Sequence, residues 1–138
     1  MTDGPGIIRD ETGAQTLLGY VVDVSANDGR ARCVLDVGAQ HGNRHGALHG
    51  GIIACILDNA MGYGAAIHSS GDGSDKFLTI SMNTQFIASS NSGRVTATGK
   101  VTGGGRNLMF LEGELHDEDG RLLATATGVY KKVREAQS

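Results

Sequence analysis

The sequence predicts an α+β domain in which one long helix packs against a single antiparallel sheet of about six strands. Three observations support this prediction. Residues 50–67 place apolar side chains at helical spacing, and no other long stretch does so. The segments on either side alternate apolar and polar residues, as strands with one buried face do. Many of the 22 glycines fall between these alternating segments, where they mark turns.

Length and composition limit the classes of function. A chain of 138 residues forms one domain, which we place at residues 15–133, with loosely ordered ends at 1–14 and 134–138. The net charge of −3 gives no electrostatic reason to expect nucleic acid or an anionic membrane as partner. The N-terminus lacks signal-peptide features and no uninterrupted apolar run is long enough to span a bilayer. Cys33 and Cys55 are expected to be buried free thiols of a cytoplasmic protein.

The elements before the long helix are short. Residues 15–19 are predicted to close a short helix. Residues 20–24 and 31–37 alternate apolar with polar side chains, and Asn27-Asp28-Gly29 between them is typical of a hairpin turn. This segment is therefore predicted to form a pair of strands.

The elements after the long helix are strands. Residues 69–75 are small and polar, which predicts a flexible loop. Residues 78–86 then alternate, which predicts a strand with Leu78, Ile80 and Phe86 on its buried face. Three further strands follow after short glycine-containing turns, so the four together are predicted to form an antiparallel meander.

The long helix carries one acid in an unusual position. On a helical wheel Asp58 lies among small residues, opposite the stripe of large apolar side chains. Small neighbours leave room for a ligand or for another backbone. Asp58 is therefore a candidate nucleophile or general base.

The start of the helix is a candidate binding site for an oxyanion. Gly50 and Gly51 permit close approach of the backbone, and their N–H groups carry the positive end of the helix dipole. Such donors stabilise the developing negative charge on a carbonyl under attack. Asn43, in the loop before the helix, has an amide that can hold the water or the carbonyl oxygen.

The spacing within the helix indicates a shared site. Eight residues separate Gly50 from Asp58, which is about 12 Å along a helix axis. One carbonyl carbon does not reach both groups at that distance. A site that uses both must therefore combine two chains across a dimer interface.

A metal site is not expected. His41, His45 and His49 are spaced by four, as ligands on one helix face are. The glycines at 42, 46, 50 and 51 oppose the helix that would align them.

The pattern Asn43-x-x-Gly46-x-x-His49-Gly50-Gly51, with an acid seven positions after the last glycine, resembles the hotdog-fold acyl-CoA thioesterases of the PaaI-like branch. The strands TISMNTQF and the closing DEDGRLLATATG are also similar to that family. The resemblance implies a sheet wrapped around a central helix. It implies homodimers that usually pair into homotetramers, either back-to-back or face-to-face. It also implies an acyl-CoA substrate and no cofactor.

The resemblance assigns roles by position. Gly50 supplies the oxyanion N–H, His49 shapes that turn, and Asn43 orients the water or the thioester. Asp58 of the partner chain is the nucleophile or general base, and Thr79 or Ser81 supplies a hydroxyl beside it. Apart from the resemblance, the residue types make Gly51, Met61, Ser81 and Arg106 further candidates for contact with substrate. Arg106 could meet a CoA phosphate, and an acyl pocket could be lined by Phe77, Phe86, Met61 and Met82.

The expected reaction is hydrolysis of an aromatic or medium-chain acyl-CoA to the carboxylic acid and free CoA. The alternative is a non-catalytic acyl-CoA-binding or regulatory domain of the same fold. Asp58 favours the enzyme, because a binding module has no need of an acid beside the thioester.

Overall fold

Two helices and seven strands make up the described part of the chain. The computed structural model describes residues 4–71 and 73–134. The helices are α1 (Gly13–Leu18) and α2 (Gly50–Ser70), and a single helical turn (Ala39–His41) precedes α2. The strands are β1 (Ile7–Ile8), β2 (Val21–Asp23), β3 (Arg30–Val37), β4 (Phe77–Phe86), β5 (Gly93–Gly104), β6 (Leu108–Asp117) and β7 (Leu122–Lys132).

All seven strands belong to one antiparallel sheet in the order β1-β2-β3-β5-β6-β7-β4. This confirms the predicted α+β class, with one strand more than expected. The predicted meander is wrong in one respect, because β4 pairs with β7 and not with β5, whose other neighbour is β3. The prediction that residues 1–14 are loosely ordered is also wrong for part of that segment. Ile7 and Ile8 pair with β2, while residues 1–3 lie outside the described residues.

Helix α2 forms the centre of the core, against the sheet. Its length and hydropathy would allow it to cross a membrane, but Ile53, Ile56 and Leu57 are buried in the core cluster that the helix shares with the sheet. Glycine at position 99 permits this close packing. A Cβ atom added to Gly99 would lie 2.7 Å from the Met61 Cα, and nearer still to the Ala60 carbonyl. Strand β5 therefore approaches the backbone of α2 closely at Ala60 and Met61, on the core side of the helix.

Strand β4 is an edge strand, and its apolar side chains are exposed. Leu78, Ile80 and Phe86 are 60%, 56% and 58% exposed, so the prediction that they form a buried face is wrong for the single chain. The register with β7 shifts between Thr79 and Ser81. Such a bulge reorients the side chains that follow it. Thr79, before the bulge, faces α2, and the bulge turns Ser81 to the opposite face, a choice that alternation alone had left open.

Candidate active site

Asp58 is held by two hydroxyl groups from the sheet. The Thr79 hydroxyl donates to Asp58 Oδ1 at 2.6 Å, and the Tyr130 hydroxyl donates to the same oxygen at 2.7 Å. Asp58 Oδ2 receives no hydrogen bond from any residue that the structure describes. The carboxyl group is therefore fixed through one oxygen, which leaves the other available to a water molecule or a substrate.

The half-buried Asp58 lies on the wall of an open cleft of about 650 Å³. The cleft runs between α2, the loop before β4 and the segment before α1. At one wall, the Tyr63 hydroxyl donates to the Glu11 carboxylate at 2.5 Å. The apolar part of the lining includes Gly62, Ala66, Phe77 and Val133.

Tyr130 is a residue of this site that sequence reasoning missed. Burial, and then the hydrogen bond to Asp58, raise the pKa of Tyr130 above its usual value, so the phenol remains a donor at neutral pH. The sequence of β7 contains a pattern that could have identified Tyr130. Small residues occupy the alternate buried positions before it, Ala124, Ala126 and Gly128, and the row ends in one large polar aromatic side chain.

The start of α2 is shaped by His49. This residue is the N-cap, and its Nδ1 accepts a hydrogen bond from the Gly51 N–H at 2.8 Å. The His49 carbonyl accepts the N–H groups of Ile52 and Ile53. Gly50 is the first helical residue, so its N–H has no acceptor within the helix. Of the two predicted donors, Gly51 is thus used by the cap, and Gly50 is the one available to a ligand.

Asn43 stabilises the loop before α2. Its side-chain oxygen accepts the N–H groups of His45 at 2.9 Å and Ala47 at 3.1 Å. Its backbone N–H donates to the Ala47 carbonyl at 2.7 Å. Any contact of Asn43 with water or a thioester must therefore come from its amide nitrogen, because the oxygen is committed to the turn.

Three residues predicted to contact substrate lie away from Asp58. Met61 is fully buried in the core cluster, which corrects its assignment to the substrate site, because no ligand reaches it there. Ser81 comes after the bulge and pairs with Val129, two residues from the Thr79 position that faces Asp58. Arg106 is exposed in the turn between β5 and β6.

The two halves of the predicted site lie at opposite ends of β4 in one chain. A Cβ atom added to Gly50 would lie 3.3 Å from the Phe86 ring, so the helix start is next to the last residue of β4. Thr79, which contacts Asp58, lies near the first residue. Along α2 itself, Gly50 and Asp58 are eight residues, or about 12 Å, apart. A single chain does not bring the Gly50 N–H and the Asp58 carboxylate to one substrate carbonyl.

No group of three His, Cys, Asp or Glu side chains in the described ranges is arranged to hold a metal ion. His41 and His49 each use a ring nitrogen to accept a backbone N–H. The predicted absence of a cofactor stays a prediction.

Comparison with known proteins gives consistent matches. A family model described as "Thioesterase superfamily" matches residues 45–124. The 1,4-dihydroxy-2-naphthoyl-CoA hydrolase of Listeria monocytogenes is 30% identical over 89% of this chain and 99% of its own. Acyl-coenzyme A thioesterase 13 of Homo sapiens is 28% identical over 80% of this chain and 78% of its own. Among solved structures, the E. coli PaaI protein from the phenylacetic acid degradation operon matches with a TM-score of 0.76 at 20% identity, covering 90% of this chain and 86% of that one.

Proposed function

Because this chain belongs to the thioesterase superfamily and is a thioester hydrolase of the hotdog fold, we propose that it hydrolyses an aromatic or medium-chain acyl-CoA at a site shared by two chains. The observation that carries the proposal is the Asp58 carboxylate, fixed by two hydroxyl donors with one oxygen facing an open cleft. The names of the two relatives support an acyl-CoA substrate, and one of them names an aromatic acyl group.

Pairing of β4 with its copy in a second chain would complete the site. β4 is an exposed sheet edge, and such edges readily accept another strand. Antiparallel pairing about a two-fold axis at Asn83, with the extra residue of the bulge counted, would set Thr79 of one chain opposite Phe86 of the partner subunit. Phe86 contacts Gly50, and Thr79 contacts Asp58. The free Gly50 N–H of one subunit would then approach the Asp58 carboxylate of the other.

In this arrangement each group has a separate task. The Gly50 N–H and the dipole of α2 stabilise the negative charge that develops on the thioester oxygen. Asp58 Oδ2 either attacks the carbonyl carbon itself or removes a proton from the attacking water. The carbon–sulfur bond then breaks, CoA leaves as its thiolate, and water supplies the second oxygen of the carboxylic acid. The acyl group occupies the apolar part of the cleft.

Self-association beyond the dimer is proposed on a second surface. Lys131 of β7 lies directly between Leu108 and Leu78, so these three side chains project from the same outer face of the sheet. Leu108 and Phe110 are 45% and 47% exposed. Apolar side chains on an outer face favour pairing of two dimers into a tetramer. Light scattering after gel filtration measures the oligomeric state.

The first test of the proposed reaction is thiol release from a panel of aromatic and straight-chain acyl-CoAs. We expect wild-type turnover and a loss of at least about 100-fold in kcat for Asp58→Asn, which keeps the shape but removes the charge. Asp36→Asn is the control for loss of an acid, because Asp36 lies far along the sheet and pairs with Arg94. Turnover of the Asp58→Asn variant within a few-fold of wild type would overturn the role of Asp58. Binding of CoA esters without turnover would favour the non-catalytic domain.

A second test asks whether the site is shared. Gly50→Pro removes the free N–H, and proline suits the first position of a helix. Its Cβ atom would lie 3.3 Å from the Phe86 ring, which must shift by a few tenths of an ångström. The extended conformation of His49, with φ −64° and ψ 133°, also suits a residue before proline. Each of Gly50→Pro and Asp58→Asn alone should lose at least about 100-fold in kcat, with the residual rate still measurable. If the two variants are unfolded, mixed and refolded together, half of the random dimers are hetero-dimers with one intact site, which restores roughly a quarter of wild-type activity. No recovery in a mixture shown to contain hetero-dimers would refute the shared site.

A further inference from the structure

We propose that His41 is a positioning residue that fixes the start of α2 and hence the Gly50 N–H donor. This inference rests on the proposed function, because it concerns the geometry of the same oxyanion site. His41 lies two residues before Asn43 and eight before His49, at the base of the loop that leads into the helix. Its side chain is buried, at 1% exposure.

Both ring nitrogens of His41 are used by backbone groups. Nδ1 accepts a hydrogen bond from the Gly38 N–H at 2.9 Å. Nε2 lies 2.7 Å from the Leu18 carbonyl, and since a carbonyl accepts only, Nε2 carries the proton. The two partners together require the neutral Nε2–H tautomer. Neither nitrogen is then available to exchange a proton with a substrate, which excludes a direct catalytic role for this ring.

The contacts of His41 lead to the helix start in two steps. The ring joins the helical turn at residues 39–41 to the C-terminal end of α1, through Leu18. The His41 backbone carbonyl in turn accepts the His49 N–H at 2.8 Å. His49 is the N-cap whose side chain holds Gly51, so the orientation of the His41 backbone sets the position of the first turn of α2.

The rest of the loop that leads into α2 is attached to the residues next to His41. Gly42 and Leu48, the sequence neighbours of His41 and His49, form an isolated antiparallel bridge. The Leu48 N–H donates to the Ser90 carbonyl at 2.7 Å, which attaches the other side of the loop to the segment after β4. A leucine or phenylalanine would fill the volume of the buried imidazole, but only a side chain with one donor and one acceptor at these positions fixes both neighbouring backbones.

The test separates positioning from stability. His41→Leu removes both ring hydrogen bonds while keeping an apolar side chain of similar size. Because an oxyanion donor acts mainly in the transition state, we expect kcat to fall by about 10- to 100-fold with KM within about 2-fold of wild type. His41→Asn retains an acceptor for Gly38 and His41→Gln retains a donor to Leu18, so each should restore part of kcat. Val22→Ala, in the core at β2 and outside the cleft, is the control that loses stability alone and should keep its kcat.

A double-mutant cycle tests whether His41 acts through Gly50. If it does, His41→Leu should have almost no further effect on kcat in a Gly50→Pro background, where the donor is already absent. Circular dichroism establishes that each variant is folded at the assay temperature, and if His41→Leu does not fold, the cycle is made with His41→Asn and His41→Gln. Unchanged kcat in the folded His41 variants, or losses that simply multiply with those of Gly50→Pro, would overturn the inference. Wild-type protein without thioesterase activity would instead refute the proposed function.

Discussion

The substitution Gly62→Ala should make the protein more stable and its cleft narrower at the same time. Gly62 lies one helical turn after Asp58, in the interior of α2, and lines the cleft. Glycine in a helix interior is less favourable than alanine by about 1 kcal/mol. A Cβ atom at this position would lie 3.8 Å from the nearest heavy atom, in the Tyr130 ring, which is ordinary van der Waals contact. No steric cost therefore offsets the gain in helix propensity.

We expect the free energy of unfolding to rise by about 1 kcal/mol, which corresponds to an increase in Tm of about 3 °C for a domain of this size. The added methyl group occupies the cleft beside the proposed position of the acyl group. One methyl group in an apolar site is worth about 1–3 kcal/mol of discrimination. The ratio of kcat/KM for the smallest against the bulkiest acyl-CoA in the panel should therefore rise by about 10-fold or more.

Gly64→Ala is the matched control, since it makes the same change two residues along the same helix. Its Cβ would lie 3.1 Å from the Gly99 carbonyl oxygen and 3.1 Å from Leu111, on the side that packs against the sheet. Steric contact should cancel the gain in propensity there, without a change in acyl preference. Urea unfolding and the acyl-CoA panel measure both effects. An unchanged ratio of kcat/KM in Gly62→Ala would show that Gly62 does not face the acyl site, and a variant less stable than wild type would show that the Cβ atom meets a steric cost.

Three further predictions concern the same core and site. Gly99→Ala places a Cβ atom against the backbone of α2, which cannot move aside without disturbing the packing of the helix. Urea unfolding should therefore show that the free energy of unfolding falls by about 3 kcal/mol. Tyr130→Phe leaves Asp58 with one hydroxyl donor, and kcat in the thiol-release assay should fall by about 10-fold while the variant stays folded. Burial raises the pKa of Tyr20 to about 12 and that of Tyr130 above its ordinary value of 10, so above pH 10 the unfolded chain loses these protons first. The contribution of these two tyrosines to stability should therefore be complete below pH 10 and fall above it by up to about 1.4 kcal/mol per pH unit for each tyrosine. Tyr130→Phe should reduce the slope of the urea midpoint against pH above pH 10, and a slope equal to that of wild type would contradict this prediction.

Sequence reasoning predicted those parts of the fold and of the candidate site that depend on the spacing of residues close together in the chain. The period of α2, its start after His49 and the acid at Asp58 all lie within one short stretch. Helix geometry converts that spacing into distance, so the separation of Gly50 from Asp58 follows directly from their positions in the sequence. The same holds for the hairpin of β2 and β3, whose turn residues lie between the strands that they join.

Long-range contacts cannot be inferred in this way. Tyr130 is 72 residues from Asp58 in sequence, and nothing local to either residue specifies their hydrogen bond. The pairing of β4 with β7 was missed because strands that are consecutive in sequence usually pair with each other. Here α2 and the loop after it cross the sheet, so β4 lies at the far edge, next to β7. The choice of Thr79 over Ser81 depended on a bulge, which simple alternation does not reveal.

The error about the buried face of β4 bears directly on the shared site. Alternation of apolar and polar residues reports that one face of a strand avoids water, and it does not specify which molecule covers that face. In the single chain, Ile80 and Phe86 are more than half exposed on an unpaired edge, an arrangement that natural monomers generally avoid. The same strand holds Thr79 against Asp58 and Phe86 against Gly50, so a partner that covers the edge would also join the two halves of the site. A charge introduced on this exposed edge, as in Ile80→Lys, should therefore reduce dimer formation and kcat together, whereas a dimer that persists with full activity would show that the edge is covered in another way.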